Sequence, residues 1–161
     1  MVDVMSVEKR SALMSRVGAK NTAPEIAVRQ RLWQSGFRYR LHDSKLPGKP
    51  DLILPKWHAV IFVHGCFWHQ HEGCPYFRLP ATRTEFWVEK LRRNKQRDDE
   101  VTTSLLEKGW RVAVVWECAI RANAESAGDL LMKWLRRGST PIEVWGDKAK
   151  TCHSSPIRAS T

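Results

Sequence analysis

The sequence predicts one α/β domain in which helices flank a mixed central sheet. Three observations carry that reading. The apolar periodicity runs in the order helix, three strands, helix, strand, helix. The segment Trp110 to Trp116 is a nearly unbroken apolar run, as a strand covered on both faces requires. The chain, with 161 residues, is long enough for one real core with short appendages.

Residues 1–21 are polar and basic (Lys9, Arg10, Arg16, Lys20) around one short helical patch, Val7 to Val17, and read as an N-terminal arm. The folded domain is expected over residues 22–137. Thr22-Ala23-Pro24-Glu25 opens its first helix: Thr22 can accept from exposed amides, Pro24 fits the first turn, and Glu25 stands where a capping-box carboxylate belongs. Ile26, Val28, Leu32 and Trp33 are its apolar residues, and Gly36 stops it. Phe37, Tyr39 and Leu41 alternate with Arg38, Arg40 and His42, a strand with one wet, basic face. After a turn at Leu46–Pro50, residues 51–54 and 59–63 form two strands around Pro55–His58, read as a hairpin. Residues 64–83 are a loop. Residues 84–108 form a long charged helix stopped by Gly109, and residues 125–137 a last helix. The tail, 138–161, is polar, with an edge strand expected at Ile142–Trp145.

Composition narrows the partner. Twenty-seven Lys and Arg against seventeen Asp and Glu give a formal charge of +10 and a pI near 9.8. Such a surface suits a polyanion, nucleic acid before membrane. Eight tryptophans among those cations suit base stacking, although most of them belong to the core. No secretory signal and no membrane-length apolar run occurs in the sequence, so a cytoplasmic setting with four reduced cysteines is expected. Clustered Cys and His then read as a metal site before they read as disulfides.

The densest chemistry lies in His64-Gly65-Cys66-Phe67-Trp68-His69-Gln70-His71-Glu72-Gly73-Cys74. Buried imidazoles and thiols need partners, so this mixture suits a metal-pinned loop better than a core strand. Cys66, His71 and Cys74, with Cys118 just past the apolar strand, make a closed Cys3His set of the structural zinc kind. The plain alternative is four unrelated thiols and surface histidines. Cys152, in the tail, is not expected to be a ligand. Asp51 follows a proline and opens a strand, so its carboxylate sits at a sheet edge. With a strand-end carbonyl such as that of Val63 and phosphate oxygens it could hold Mg2+. Equally, it could simply terminate a turn. His64 and His69 remain for proton transfer or charge stabilisation. Glu25 could orient a metal-bound water, although capping already explains it. Phe67-Trp68 can form a wedge inserted between base pairs, with Met14 entering from the other groove, or can pack inward.

Several long words stand in series: Pro47–Asp51, Ile61–His69, Ala81–Trp87, and Gly109-Trp110 through Val115–Cys118. In this order and spacing, from about residue 5 to 137, the chain resembles the very short patch repair (Vsr) DNA mismatch endonucleases. The tail from 138 resembles nothing in that pattern. The resemblance implies a restriction-endonuclease-like core with a structural zinc site and a DNA-embracing arm. It implies nicking of one strand 5′ of the thymine in a T·G mismatch, the lesion left when 5-methylcytosine deaminates. By position it makes Asp51 the Mg2+-binding carboxylate with the Val63 carbonyl as second ligand. It makes His69 the general base assisted by His64 and Glu25, and Cys66, His71, Cys74 and Cys118 the zinc ligands. Phe67, Trp68 and Met14 become intercalating residues. Double-stranded DNA with the mismatch is the implied partner, with a functional link to a cytosine-5 DNA methyltransferase, and one asymmetric mismatch suggests a monomer. Two departures are visible. Gln70 and Glu72-Gly73 interrupt a stretch richer in histidine in the family. No carboxylate-x-lysine follows Asp51, the matching segment being Phe62-Val63-His64. A zinc-stabilised DNA-binding module without catalysis and a nuclease cutting unmismatched duplex are the competing readings.

Overall fold

The computed structural model describes residue 9, residues 20–139 and 141–146, and the backbone of 148–151. The arm, Met14 and Cys152 therefore lie outside the described residues. The elements in chain order are α1 (Ala23–Gln34), β1 (Arg40–Leu41), β2 (Leu52–Leu54), a 3-10 turn (Pro55–Trp57), β3 (Ala59–His64), α2 (Thr84–Glu107), β4 (Arg111–Trp116), α3 (Glu117–Arg137), β5 (Ile142–Trp145) and β6 (Lys148–Thr151). The strands form one six-stranded sheet in sequence order. The pairs β1–β2, β2–β3 and β5–β6 are antiparallel, and β3–β4 and β4–β5 are parallel. The sheet is therefore mixed.

Alternation along the strands sorts side chains to two cores. One face carries Leu52, Leu54, Ile61, Ala113, Val115 and Val144 and packs against Val28 and Leu32 of α1 and Leu131, Trp134 and Leu135 of α3. The other carries Ile53, Val60, Phe62, Val112, Val114 and Trp116 against Leu105 of α2, and it extends to Cys66 and Cys118. Each fully buried leucine here contributes roughly 2 kcal/mol of burial. Because β4 has parallel neighbours on both edges and helices over both faces, five of its six residues are buried. That is why its sequence does not alternate. The helices α1 and α3 touch closely at Gly128, where a Cβ would collide with the Arg31 side chain. Arg31 crosses the same contact to Asp129 at 2.6 Å.

Three expectations change. The strand expected from Phe37 to Leu41 shrinks to Arg40–Leu41, both exposed. Phe37 leaves the alternation to pack on Trp57, ring centroids 5.2 Å apart, and enters the core. The last helix starts eight residues early, at Glu117, and breaks at Asn123 (φ −164°, ψ 99°). The Asn123 side chain accepts from the Ser126 amide at 2.9 Å, so it caps a second helix inside the first, the part that periodicity reveals. Finally, Ile142–Trp145 is no edge strand, because β6 pairs along its outer side.

Candidate active site and metal centre

Both candidate centres grow from the C-terminal ends of β3 and β4, where His64 and Trp116 are paired neighbours. Between them runs a loop built of consecutive tight turns. The amide of His69 reaches the Gly65 carbonyl at 3.2 Å, that of His71 the Cys66 carbonyl at 3.0 Å, and that of Cys74 the His71 carbonyl at 3.3 Å. Gln70 and Gly73 take positive φ values, 51° and 72°, to close these turns. The folded loop sends alternate histidines to opposite sides.

On one side Cys66, His71, Cys74 and Cys118 converge, with one ligand atom from each within 4.8 Å of all the others. Cys118 arrives from the first turn of α3, and its Sγ lies 3.5 Å from His71 Nδ1. In a tetrahedral thiolate–imidazole site, neighbouring ligand atoms are about 3.5–3.8 Å apart. Cys66 is fully buried, and burial pushes its thiol well above the ordinary range, with the Cys118 and Cys74 thiols adding to the rise. Burial likewise lowers the His71 imidazole, which stays neutral and lies flat on Trp116 at 4.0 Å. Three crowded thiols without a cation are costly to ionise, and a divalent ion reverses that cost by binding the thiolates. The donor set therefore fits a metal ion such as zinc.

On the other side His64 and His69 stack in parallel, 3.7 Å between ring centroids. His69 Nδ1 lies 2.6 Å from Asp98 Oδ2 on α2. At that distance from a carboxylate, Nδ1 carries the proton and Nε2 is left as an acceptor. His64 is buried, and burial together with His69 and Lys95 holds its pKa well below the ordinary histidine value, so it is neutral at pH 7. Asp51 sits one residue before β2, in line with Phe62 by the register of that pair, and its Oδ2 accepts from the Val63 amide at 2.7 Å. Burial raises its carboxyl from 3.8 to about 6, the Val63 amide opposing and Glu25 assisting that rise. His42 Nδ1 lies 3.9 Å from Asp51 Oδ1, and its Nε2 lies 3.0 Å from Arg29.

Glu25 is nearly inaccessible, 3% exposed. Its carboxylate accepts from the Asn21 amide at 2.9 Å and the Thr22 hydroxyl at 3.2 Å, and pairs with Arg29 at 2.7 Å. It caps α1 as the sequence predicts, and at 3.9 Å from His42 it also borders the site. Phe67 and Trp68 are half-buried and touch each other and Trp87 at centroid distances of 5.2, 5.4 and 6.1 Å. Exposed Phe86 and the Lys90 ammonium complete an aromatic–cationic rim at the start of α2. The Trp68 carbonyl is held by the Asn94 side chain at 3.1 Å.

Most residues singled out from the sequence thus fall in two adjacent clusters. His69 goes with Asp98 and His71 with the thiols. Asp51 feels His69 electrostatically without touching it. Sequence reasoning missed Asp98 and His42 as site residues. Asp98 is one acid in the crowded charge pattern of α2, and His42 sits at a chain reversal with φ 49°, where no strand period applies.

Comparison with known proteins bears on the same residues. The family model described as DNA mismatch endonuclease Vsr matches residues 2–75. The type II nicking enzyme V.XorIIP of Xanthomonas oryzae pv. oryzae is 48% identical over 120 residues, covering 74% of this chain and 88% of that protein. The DNA mismatch endonuclease Vsr of Escherichia coli is 42% identical over 135 residues, covering 84% and 86%. The type II nicking enzyme V.NmeAIP of Neisseria meningitidis is 43% identical over 124 residues, covering 77% and 88%. On this agreement across most of its length, the chain belongs to the Vsr DNA mismatch endonuclease family.

Proposed function

We propose that this chain is a Mg2+-dependent DNA mismatch endonuclease that nicks one strand 5′ of the thymine in a T·G mismatch, in a short sequence context, and so starts very short patch repair of deaminated 5-methylcytosine. Family membership supplies the mismatch and the endonuclease. The observation that carries the mechanism is the His69–Asp98 pair at 2.6 Å beside an Asp51 carboxylate fixed by the Val63 amide.

Asp51 and the Val63 carbonyl are the groups that would hold Mg2+. Burial raises the Asp51 carboxyl to about 6, and a bound cation would favour its ionised form. When bound, Mg2+ neutralises charge developing on the phosphate. The chain's own residues do the rest. Asp98 fixes the His69 tautomer, leaving Nε2 to take a proton from water as its oxygen attacks phosphorus. The bond from phosphorus to the leaving sugar oxygen breaks, and that oxygen takes a proton from solvent. Neutral His64, stacked under His69, holds the ring plane without competing for the proton. Glu25 assists by fixing Arg29 against His42 at the site's edge.

Cys66, His71, Cys74 and Cys118 would hold structural Zn2+. Four protein ligands leave no open position, so this ion anchors the loop and takes no part in hydrolysis. Phe67 and Trp68 intercalate beside the wobble pair, with Met14 from the arm. The sheet and its helices form a restriction-endonuclease-like core that acts as a monomer on double-stranded DNA in the bacterial cytoplasm. Its work is linked to a cytosine-5 methyltransferase. Among the described residues no helix is long and apolar enough to cross a membrane.

A strand-labelled oligonucleotide assay tests the reading, with T·G, T·A and C·G versions of one duplex and with or without Mg2+. One nick, on the thymine strand of T·G only and only with Mg2+, is the expected result. Equal cutting of all three would replace mismatch repair with restriction-type cleavage.

A further inference from the structure

The C-terminal hairpin packs against the His71 side of the four-donor centre. Trp145 pairs with Lys148, so β5 and β6 are joined by a two-residue loop that starts at Gly146. Gly146 has φ +57°, a value that two-residue hairpin loops require and glycine supplies without strain. The neighbouring Trp145 ring meets His71 edge-on, with centroids 6.0 Å apart and planes at 87°. Two residues earlier, Glu143 Oε2 accepts from the Trp116 indole at 3.3 Å. Trp116 is the ring on which His71 lies flat, 8° from parallel. His71 is thus held between two indoles, one of them fixed by a carboxylate.

Groups of this kind do recognised work around metals. They fix ring orientation, strengthen the donor and offset thiolate charge, and their loss commonly lowers metal affinity 10–100-fold. We infer that the β5–β6 hairpin forms the outer shell of the metal centre, with Trp145 against His71 and Glu143 fixing the Trp116 ring on which His71 lies. The inference rests on the zinc reading of the four donors. It gives the C-terminal segment, which lies beyond the stretch that resembles the family, a part in retaining the ion. By linkage, the bound ion holds the hairpin in return.

The test uses the full chain loaded with zinc. Release into excess chelator is followed with a chromophoric indicator for the parent protein, Glu143→Gln and Trp145→Ala. The glutamine keeps an acceptor for Trp116 and removes only the charge. About tenfold faster release is expected from each variant, with far-UV circular dichroism unchanged. The cobalt(II)-substituted Glu143→Gln protein should also show displaced visible absorption bands, which a merely structural role for Glu143 would leave in place. If Trp145→Ala does not fold, Glu143→Gln decides. One zinc per chain in the parent, with release unchanged in the folded variants, overturns the inference. A parent chain that takes up no zinc overturns the four-donor reading itself, and the inference falls with it.

Discussion

The two centres share one loop and differ in every physical respect. The donors around Cys66 are soft and mostly buried, they come from both the loop and α3, and together they close around one point. The groups around Asp51 and His69 are carboxylates and imidazoles, partly open to solvent, held by the Val63 amide, by Asp98 and by the His64 ring. The first arrangement fixes the loop, whereas the second leaves lone pairs free for an incoming ligand. Neighbouring histidines, two residues apart, serve opposite ends. The loop thus couples an anchor to a reactive edge with little chain between them.

That contrast can be broken or sharpened by experiment. Asp51→Ala should reduce nicking of a T·G duplex about a thousandfold, roughly 4 kcal/mol of barrier, while DNA binding is retained. If nicking survived, the open centre would lie elsewhere. Cys118→Ser should do the reverse, lowering stability by about 3 kcal/mol, a drop on the order of 10 °C in the calorimetric midpoint. An unchanged midpoint would remove the anchor.

The pH dependence of stability offers a third comparison. The Asp51 carboxyl rises from 3.8 to about 6 on folding, so the metal-free folded state binds its proton more tightly than the unfolded state does. Below the unfolded value both states are protonated and nothing is lost. As pH rises from about 4 to 6 the folded state pays a growing penalty, reaching about 3 kcal/mol above that window. Metal-free Asp51→Asn should therefore be more stable than the parent at pH 7.5, with the gain vanishing below pH 4. Denaturant titrations across that range check the sign. The smallest expected effect is that of Asp98→Asn, which should slow nicking about a hundredfold with little change in DNA binding. A loss of binding to match would make Asp98 a structural residue of α2.

Much of this organisation was legible in the sequence for local reasons. Thr22 and Pro24 start α1 with short-range groups, and β4 advertises its double burial by losing alternation. The four candidate metal donors stand out because three of them lie within nine residues. What stayed hidden depends on long-range geometry. Asp98 gains its meaning from His69, 29 residues away, and Glu143 gains its own from Trp116, 27 residues away. Phe37 misled because an alternating pattern cannot reveal that its first member turns into the core against Trp57. The early start of α3 escaped notice because Asn123 divides it, so periodicity marks only the second half.

The break at Asn123 has a consequence for how damage spreads. Residues 117–122 form a short spur whose first turn carries a thiol to the loop, while its Ala119 and Ile120 join the core that the longer piece beyond the break shares with α1. The Asn123 side chain starts the longer piece afresh, but unravelling the spur would still withdraw Ala119 from their common core. Loss of an ion from the thiols would therefore reach past the break: chelation should loosen the spur and its loop and, through Ala119, weaken the α1–α3 layer.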